Sequence, residues 1–205
     1  MKLKESIMKY PFAYLSIIFT IIFLIIVVIL LFLAPEIDPM RFGISFYALT
    51  SYRFMIGIAL AIIGISGILL VIPLWPSSLS LAGRIGLVLL VVWGITSILA
   101  AIFPLDAPGA IQTLSGTIHN MAGLNFLLIA PAVLLIERLH SSQRITYWLG
   151  WLVLVSAILL FIFNGPLGSI GIGGLIQRLY WLMLALWLLF KAQRLLGRTR
   201  NSFVA

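Results

Sequence analysis

The residues best equipped for chemistry in this chain lie between Ile102 and Asn125, in IFPLDAPGAIQTLSGTIHNMAGLN, where Asp106, Gln112, Thr113, Ser115, Thr117, His119 and Asn120 stand between two long apolar runs. An imidazole exchanges a proton near neutral pH, so His119 is the candidate general base and Asp106 the carboxylate that orients it. Thr113, Ser115 or Thr117 would then supply a hydroxyl nucleophile. No G-x-S-x-G elbow frames any of them. As ligand-binding groups the same stretch offers Asn120, Thr113 and Thr117.

A second set of polar residues opens the last apolar run, where Gln177 and Arg178 follow the glycine-rich NGPLGSIGIGG. A charge about one turn inside a membrane boundary is costly unless it reaches the interface or finds a partner. Asp106 matches Arg178 in height, so Asp106, His119 and Arg178 form an expected charged trio. Arg178, with Arg41 and Arg53 from an earlier loop, would meet an anionic group. An Asp106–Arg178 clamp that merely ties two helices together is the competing reading of the same residues.

The elements that must position these groups follow from composition. The chain is 63% hydrophobic and only 9% charged, with a mean hydropathy of +1.23, whereas an ordinary soluble domain carries roughly one-quarter charged residues. An all-α integral membrane protein is therefore expected. A span needs about 20 apolar residues, and the 205 residues hold six such runs: 12–34, 54–75, 85–103, 117–139, 146–163 and 175–196. They predict one transmembrane domain over 1–205, a six-helix bundle. The first run exceeds the apolar core of a signal peptide and lacks an A-x-A-like site, so it reads as a retained span.

The connections are predicted as loops: a basic head to Pro11, Pro35–Arg53 with a short interfacial helix, polar turns at Pro76–Arg84 and His140–Ile145, and the glycine-rich stretch from Asn164 to Gly174. Pro131 lies inside the fourth run and predicts a kink there. In the second run Gly57, Ala61 and Gly64 form a small-residue stripe suited to close helix packing.

Six spans put both termini on one side. That side carries Lys2, Lys4, Lys9, Arg84, Arg138, Arg144, Lys191, Arg194, Arg198 and Arg200, leaving only Arg41, Arg53 and Arg178 opposite. The positive-inside rule makes the termini cytoplasmic and turns the Ile102–Asn125 stretch outward. The net charge of +8 then faces anionic lipid. Scattered over several segments, the basic residues lack the compact stripe of a nucleic-acid surface. Glu137 and Arg138 read as ordinary interfacial charges.

Other classes are disfavoured in turn. Without cysteine there are no thiolate metal sites, iron–sulfur clusters or disulfides. The only other histidine, His140, falls on the opposite face, so neither a metal site nor a cofactor is predicted. No acid or base sits in the middle of a span, which argues against an ion-coupled transporter.

Three motifs together, Phe103-Pro104-Leu105-Asp106, Gly116-Thr117-Ile118-His119 and Gly174-Leu175-Ile176-Gln177-Arg178-Leu179, resemble the bacterial and archaeal membrane proteins catalogued as domain of unknown function 998. The resemblance runs from about Phe42 to Leu195. It implies a compact multi-span bundle with Asp106, His119 and Arg178 at its outer mouth, and it implies no activity. The expectation is thus a multi-pass protein of a prokaryotic cytoplasmic membrane with an outward polar pocket. That pocket would bind or process a lipid headgroup or small anionic ligand; whether by catalysis the residues leave open. The alternative is a scaffold or assembly subunit that binds a partner membrane protein or a second copy of itself.

Overall fold

In the middle of a bilayer every backbone N–H and C=O must find its partner within the protein, and a helix achieves this inside one segment. The computed structural model describes the backbone of residues 2–75, 80–137 and 144–201, and the side chains of 11–75, 80–137 and 144–197. Among the described residues there are helices and no strands. Six helical segments are long and apolar enough to cross a membrane, consistent with a multi-pass membrane protein.

The helices are α1 (Lys2–Leu33), α2 (Arg53–Leu74), α3 (Leu81–Ile102), α4 (Leu114–Gly123), α5 (Phe126–Glu137), α6 (Arg144–Asn164) and α7 (Gly173–Asn201). Several begin earlier than hydropathy predicts. Helix α1 runs back through the basic head and contains Pro11, and α3 starts within the expected turn because Ser80 caps it, its Oγ accepting from the Gly83 N–H. The expected interfacial helix is a 3-10 turn over Ile44–Leu49. Residues 76–79 and 138–143 fall outside the description, and with them Arg138, His140 and most of the two predicted turns.

Each span packs on its neighbours in the chain and α7 returns against α1, so the spans close a ring. Trp93, Trp187 and Tyr180 are fully buried in its core, where the Tyr180 and Trp181 rings meet edge to face at 5.3 Å. The small-residue stripe does what its spacing predicts. Helices α2 and α3 cross at Gly64 and Gly94, where a Cβ on Gly64 would come within 2.5 Å of the Gly94 carbonyl oxygen. Where α1 meets α2, Ser16, Thr20 and Ser66 bond to one another, with Thr20 Oγ1 and Ser66 Oγ 2.7 Å apart.

The fourth span differs from expectation. It breaks at Leu124–Asn125, between α4 and α5, whereas Pro131 lies inside α5. Gly123 weakens the helix at that point, and Asn125 Nδ2 donates to Ser97 Oγ of α3 at 2.9 Å. The interruption is tolerated because Asn125 is buried and the backbone stays paired through it, the Leu124 N–H donating to the Met121 carbonyl and the Asn125 N–H to the Ala122 carbonyl. The connections α1–α2, α3–α4 and α6–α7 gather at one end of the bundle, the upper end; the opposite end is the lower.

Candidate functional site

The Asp106 carboxylate is held by the start of α4. Thr113 caps that helix: its Oγ1 accepts from the Gly116 N–H at 3.1 Å and donates to Asp106 Oδ1 at 2.8 Å. Its own N–H donates to Asp106 Oδ2 at 2.8 Å. Gly116 makes room, since a Cβ there would strike the carboxylate. A negative charge in this position also complements the positive end of the helix dipole. The neighbouring hydroxyls are committed to local structure too, Ser115 Oγ donating to the Pro104 carbonyl and Thr117 Oγ1 to the Thr113 carbonyl.

His119 is 6% exposed. Its Nδ1 lies 3.1 Å from the Ala100 carbonyl and 2.8 Å from that of Phe103, at the end of α3. Carbonyls only accept, so Nδ1 carries the proton, and in the neutral ring Nε2 remains as an acceptor. The orienting role expected of Asp106 is thus filled by backbone.

Arg178 sits where the α1–α2 loop lies across the start of α7. Its Nη1 donates to the carbonyls of Pro39, Phe42 and Gly174 at 2.8, 2.7 and 3.1 Å, and Nη2 to Tyr47 Oη at 3.0 Å. The Gly174 position admits no side chain, because a Cβ there would meet the Phe42 backbone. Gln177 adds a further tie, its Oε1 accepting from the Ile44 N–H at 2.6 Å. The trio predicted from sequence is therefore not joined by hydrogen bonds. Asp106 bonds Thr113, His119 bonds the end of α3, and Arg178 bonds the first loop.

Three of the predicted residues do meet. His119, Asn120 and Gln177 line an upper cavity of about 190 Å³, together with Gly43, Ser45, Phe46, Leu105, Gly123 and Asn164. Asp106, Thr113, Thr117 and Arg178 stand outside that lining. So do Arg41, whose side chain lies beside Gly171, and Arg53, whose guanidinium lies 5.8 Å above the Phe54 ring. Ser45 and Asn164 were not among the predicted site residues. Asn164 was legible as the polar residue ending an apolar run before glycines; Ser45, in an irregular loop, had no periodic signal.

At the lower end Glu137, read from sequence as an interfacial charge, is buried at 1% exposure. Lys191 Nζ and Trp187 Nε1 donate to its Oε1 at 2.7 and 3.0 Å, and Thr146 Oγ1 donates to its Oε2 at 2.7 Å. Three helices, α5, α6 and α7, are joined through one carboxylate. Among the described residues no three His, Cys, Asp or Glu side chains gather as a metal site requires.

Residues 17–193 match the family model described as Protein of unknown function (DUF998). The chain belongs to the DUF998 family. No curated protein and no solved structure matches it. The DUF998 match reaches from α1 into α7, so it takes in both the upper cavity and the Glu137 cluster.

Proposed function

We propose that the upper cavity binds a small anionic ligand or lipid headgroup at the outer face of a prokaryotic cytoplasmic membrane. One observation carries this reading: hydrogen-bonding side chains from four segments converge on a single cavity, and several of them have no partner among the described residues. Ser45, Asn120 and Asn164 face it without a side-chain hydrogen bond of their own, and His119 has Nε2 left once Nδ1 is held. A few convergent polar groups in a concave site are what ligand recognition requires.

The charge balance favours an anion. No carboxylate lines the cavity, and Arg178, tied to backbone carbonyls and Tyr47, has no acidic partner among the described residues to cancel its charge. Its carbonyl partner Phe42 adjoins Gly43, and Gln177 precedes it in the helix, so its charge stands next to the cavity wall. The arginine thus acts at a distance, while direct contacts fall to amides, a hydroxyl and the imidazole. The volume suits a group of phosphate or glycerol size and is below that of a drug-sized site. His119 is the one imidazole in the lining. The basic turns at the lower end support the outward orientation of the cavity.

The test is thermal unfolding of the purified protein in detergent with sn-glycerol 3-phosphate or with glycerol. The phosphate is expected to raise stability by about 1.4 kcal/mol at tenfold excess over its Kd, glycerol by less, and Asn120→Leu or His119→Gln to remove the effect. Equal melting with and without sn-glycerol 3-phosphate would overturn the reading and leave the scaffold subunit in its place.

A further inference from the structure

Resting on that reading, we infer that the ligand is a diacyl phospholipid, with its headgroup in the upper cavity and one acyl chain in a groove between α5 and α6. The groove holds about 170 Å³ and is lined only by apolar side chains, among them Leu127, Pro131, Leu154, Ala157, Ile158 and Phe161. It opens on the outside of the ring, since Leu127, Ile158 and Phe161 are each about half exposed. Both walls belong to segments long and apolar enough to span a membrane, so what surrounds this opening is hydrocarbon.

Continuity with the cavity selects the lipid whose headgroup is bound above. On α6, Asn164 lines the cavity and Phe161 lines the groove, and residues three apart share a helix face. On the opposite wall Gly123 lines the cavity, and Phe126 and Leu127, just past the break in the fourth span, line the groove. From Phe161 to Leu154 the groove follows α6 for roughly 10 Å at about 1.5 Å per residue. Among neighbouring spans in the ring, α5 and α6 make the slightest contact, which is what leaves the furrow. A polar socket at the membrane surface with an apolar furrow running down from it matches the two ends of one amphiphile.

The experiment uses the full chain in nanodiscs of phosphatidylcholine and phosphatidylglycerol, with a trace of phosphatidylglycerol carrying a diazirine midway along one acyl chain. After photolysis, adducts are mapped by peptide mass spectrometry. Adducts are expected to concentrate on α5 and α6 around Leu127, Ile158 and Phe161. Ile158→Trp or Leu127→Trp, which fill the groove from its exposed rim, should lower them severalfold, and Val88→Trp on the exposed face of α3 should not. Asn120→Leu should lower the same adducts by releasing the headgroup.

Adducts spread evenly over all lipid-facing helices, or unchanged in Ile158→Trp, would overturn the inference. If sn-glycerol 3-phosphate still stabilises the Ile158→Trp protein in that event, the cavity reading stands and only the groove has failed. Groove adducts that ignore Asn120→Leu, with no stabilisation by sn-glycerol 3-phosphate, would overturn both.

Discussion

The two ends of the bundle treat polar side chains in opposite ways. At the lower end both oxygens of Glu137 are matched, Oε1 by Lys191 and Trp187 and Oε2 by Thr146, and the cluster is closed to its surroundings. At the upper end Ser45, Asn120 and Asn164 surround a cavity without partners of their own among the described residues. A buried polar group is costly unpaired and rigid once paired, whereas Asn120 and Asn164 are exposed and open to an added partner. The closed cluster thus has the marks of architecture, and the open one is the site proposed above for a ligand, although the closed one holds the stronger charges.

Removing one partner from the lower cluster is the harshest way to test this contrast. Glu137→Ala takes the carboxylate away from the buried Lys191 ammonium, and breaking a buried ion pair costs about 3–5 kcal/mol. The double replacement Glu137→Leu with Lys191→Met should recover part of that loss, because apolar residues of similar volume substitute well for a buried pair, while the buried Trp187 Nε1 donor loses its acceptor. Both values come from reversible unfolding in mixed detergent micelles. If the double variant is as unstable as the single one, or stable but unable to bind sn-glycerol 3-phosphate, the lower cluster is more than architecture.

Two upper-end substitutions should come next, because they strike the frame around the cavity. Gly174→Ala forces a methyl group into the Phe42 backbone, and overpacking of this kind costs about 1–3 kcal/mol. Asp106→Ala removes the acceptor of two Thr113 hydrogen bonds. Charged hydrogen bonds contribute roughly 1.5–3 kcal/mol, so a loss in that range is expected from the same unfolding measurement. Exchanging Asp106 and Arg178 should give no rescue, since the two do not bond to each other. A rescued swap would restore the clamp read from sequence.

What sequence revealed of this molecule divides along the same physical line. The spans were legible because a bilayer demands long apolar runs; a cap such as Ser80 or Thr113 extended a helix into polar sequence, and α1 ran back through the basic head. The break at Leu124–Asn125 was hidden behind Pro131, the stronger local signal, because it depends on a tertiary bond from Asn125 to Ser97. His119, Asn120 and Gln177 were legible as polar residues of one face, and they line one cavity. Their companions were not, since nothing in the order of residues says that an imidazole will take backbone carbonyls over a nearby carboxylate. Glu137 was readable in principle. It follows Ile129 and Val133 at helical spacing on a buried face, and Lys191 follows Leu184 and Trp187 in the same way.

Milder changes sharpen the contrast. Ser97→Ala removes the acceptor for Asn125, and hydrogen bonds between membrane helices average about 0.6 kcal/mol, so the cost should be small and confined to stability. Asn120→Leu should affect stability least of all. Its side chain is exposed and has no partner among the described residues, so the unfolding free energy should stay within about 0.5 kcal/mol of the parent. Stabilisation by sn-glycerol 3-phosphate should nevertheless vanish, measured on the same samples. Loss of the ligand effect without loss of stability is the signature of a group kept for binding, and the lower cluster cannot produce it. Were Asn120→Leu to destabilise the protein as Asp106→Ala does, the cavity wall would belong with the frame, and the distinction between the two ends would be one of degree.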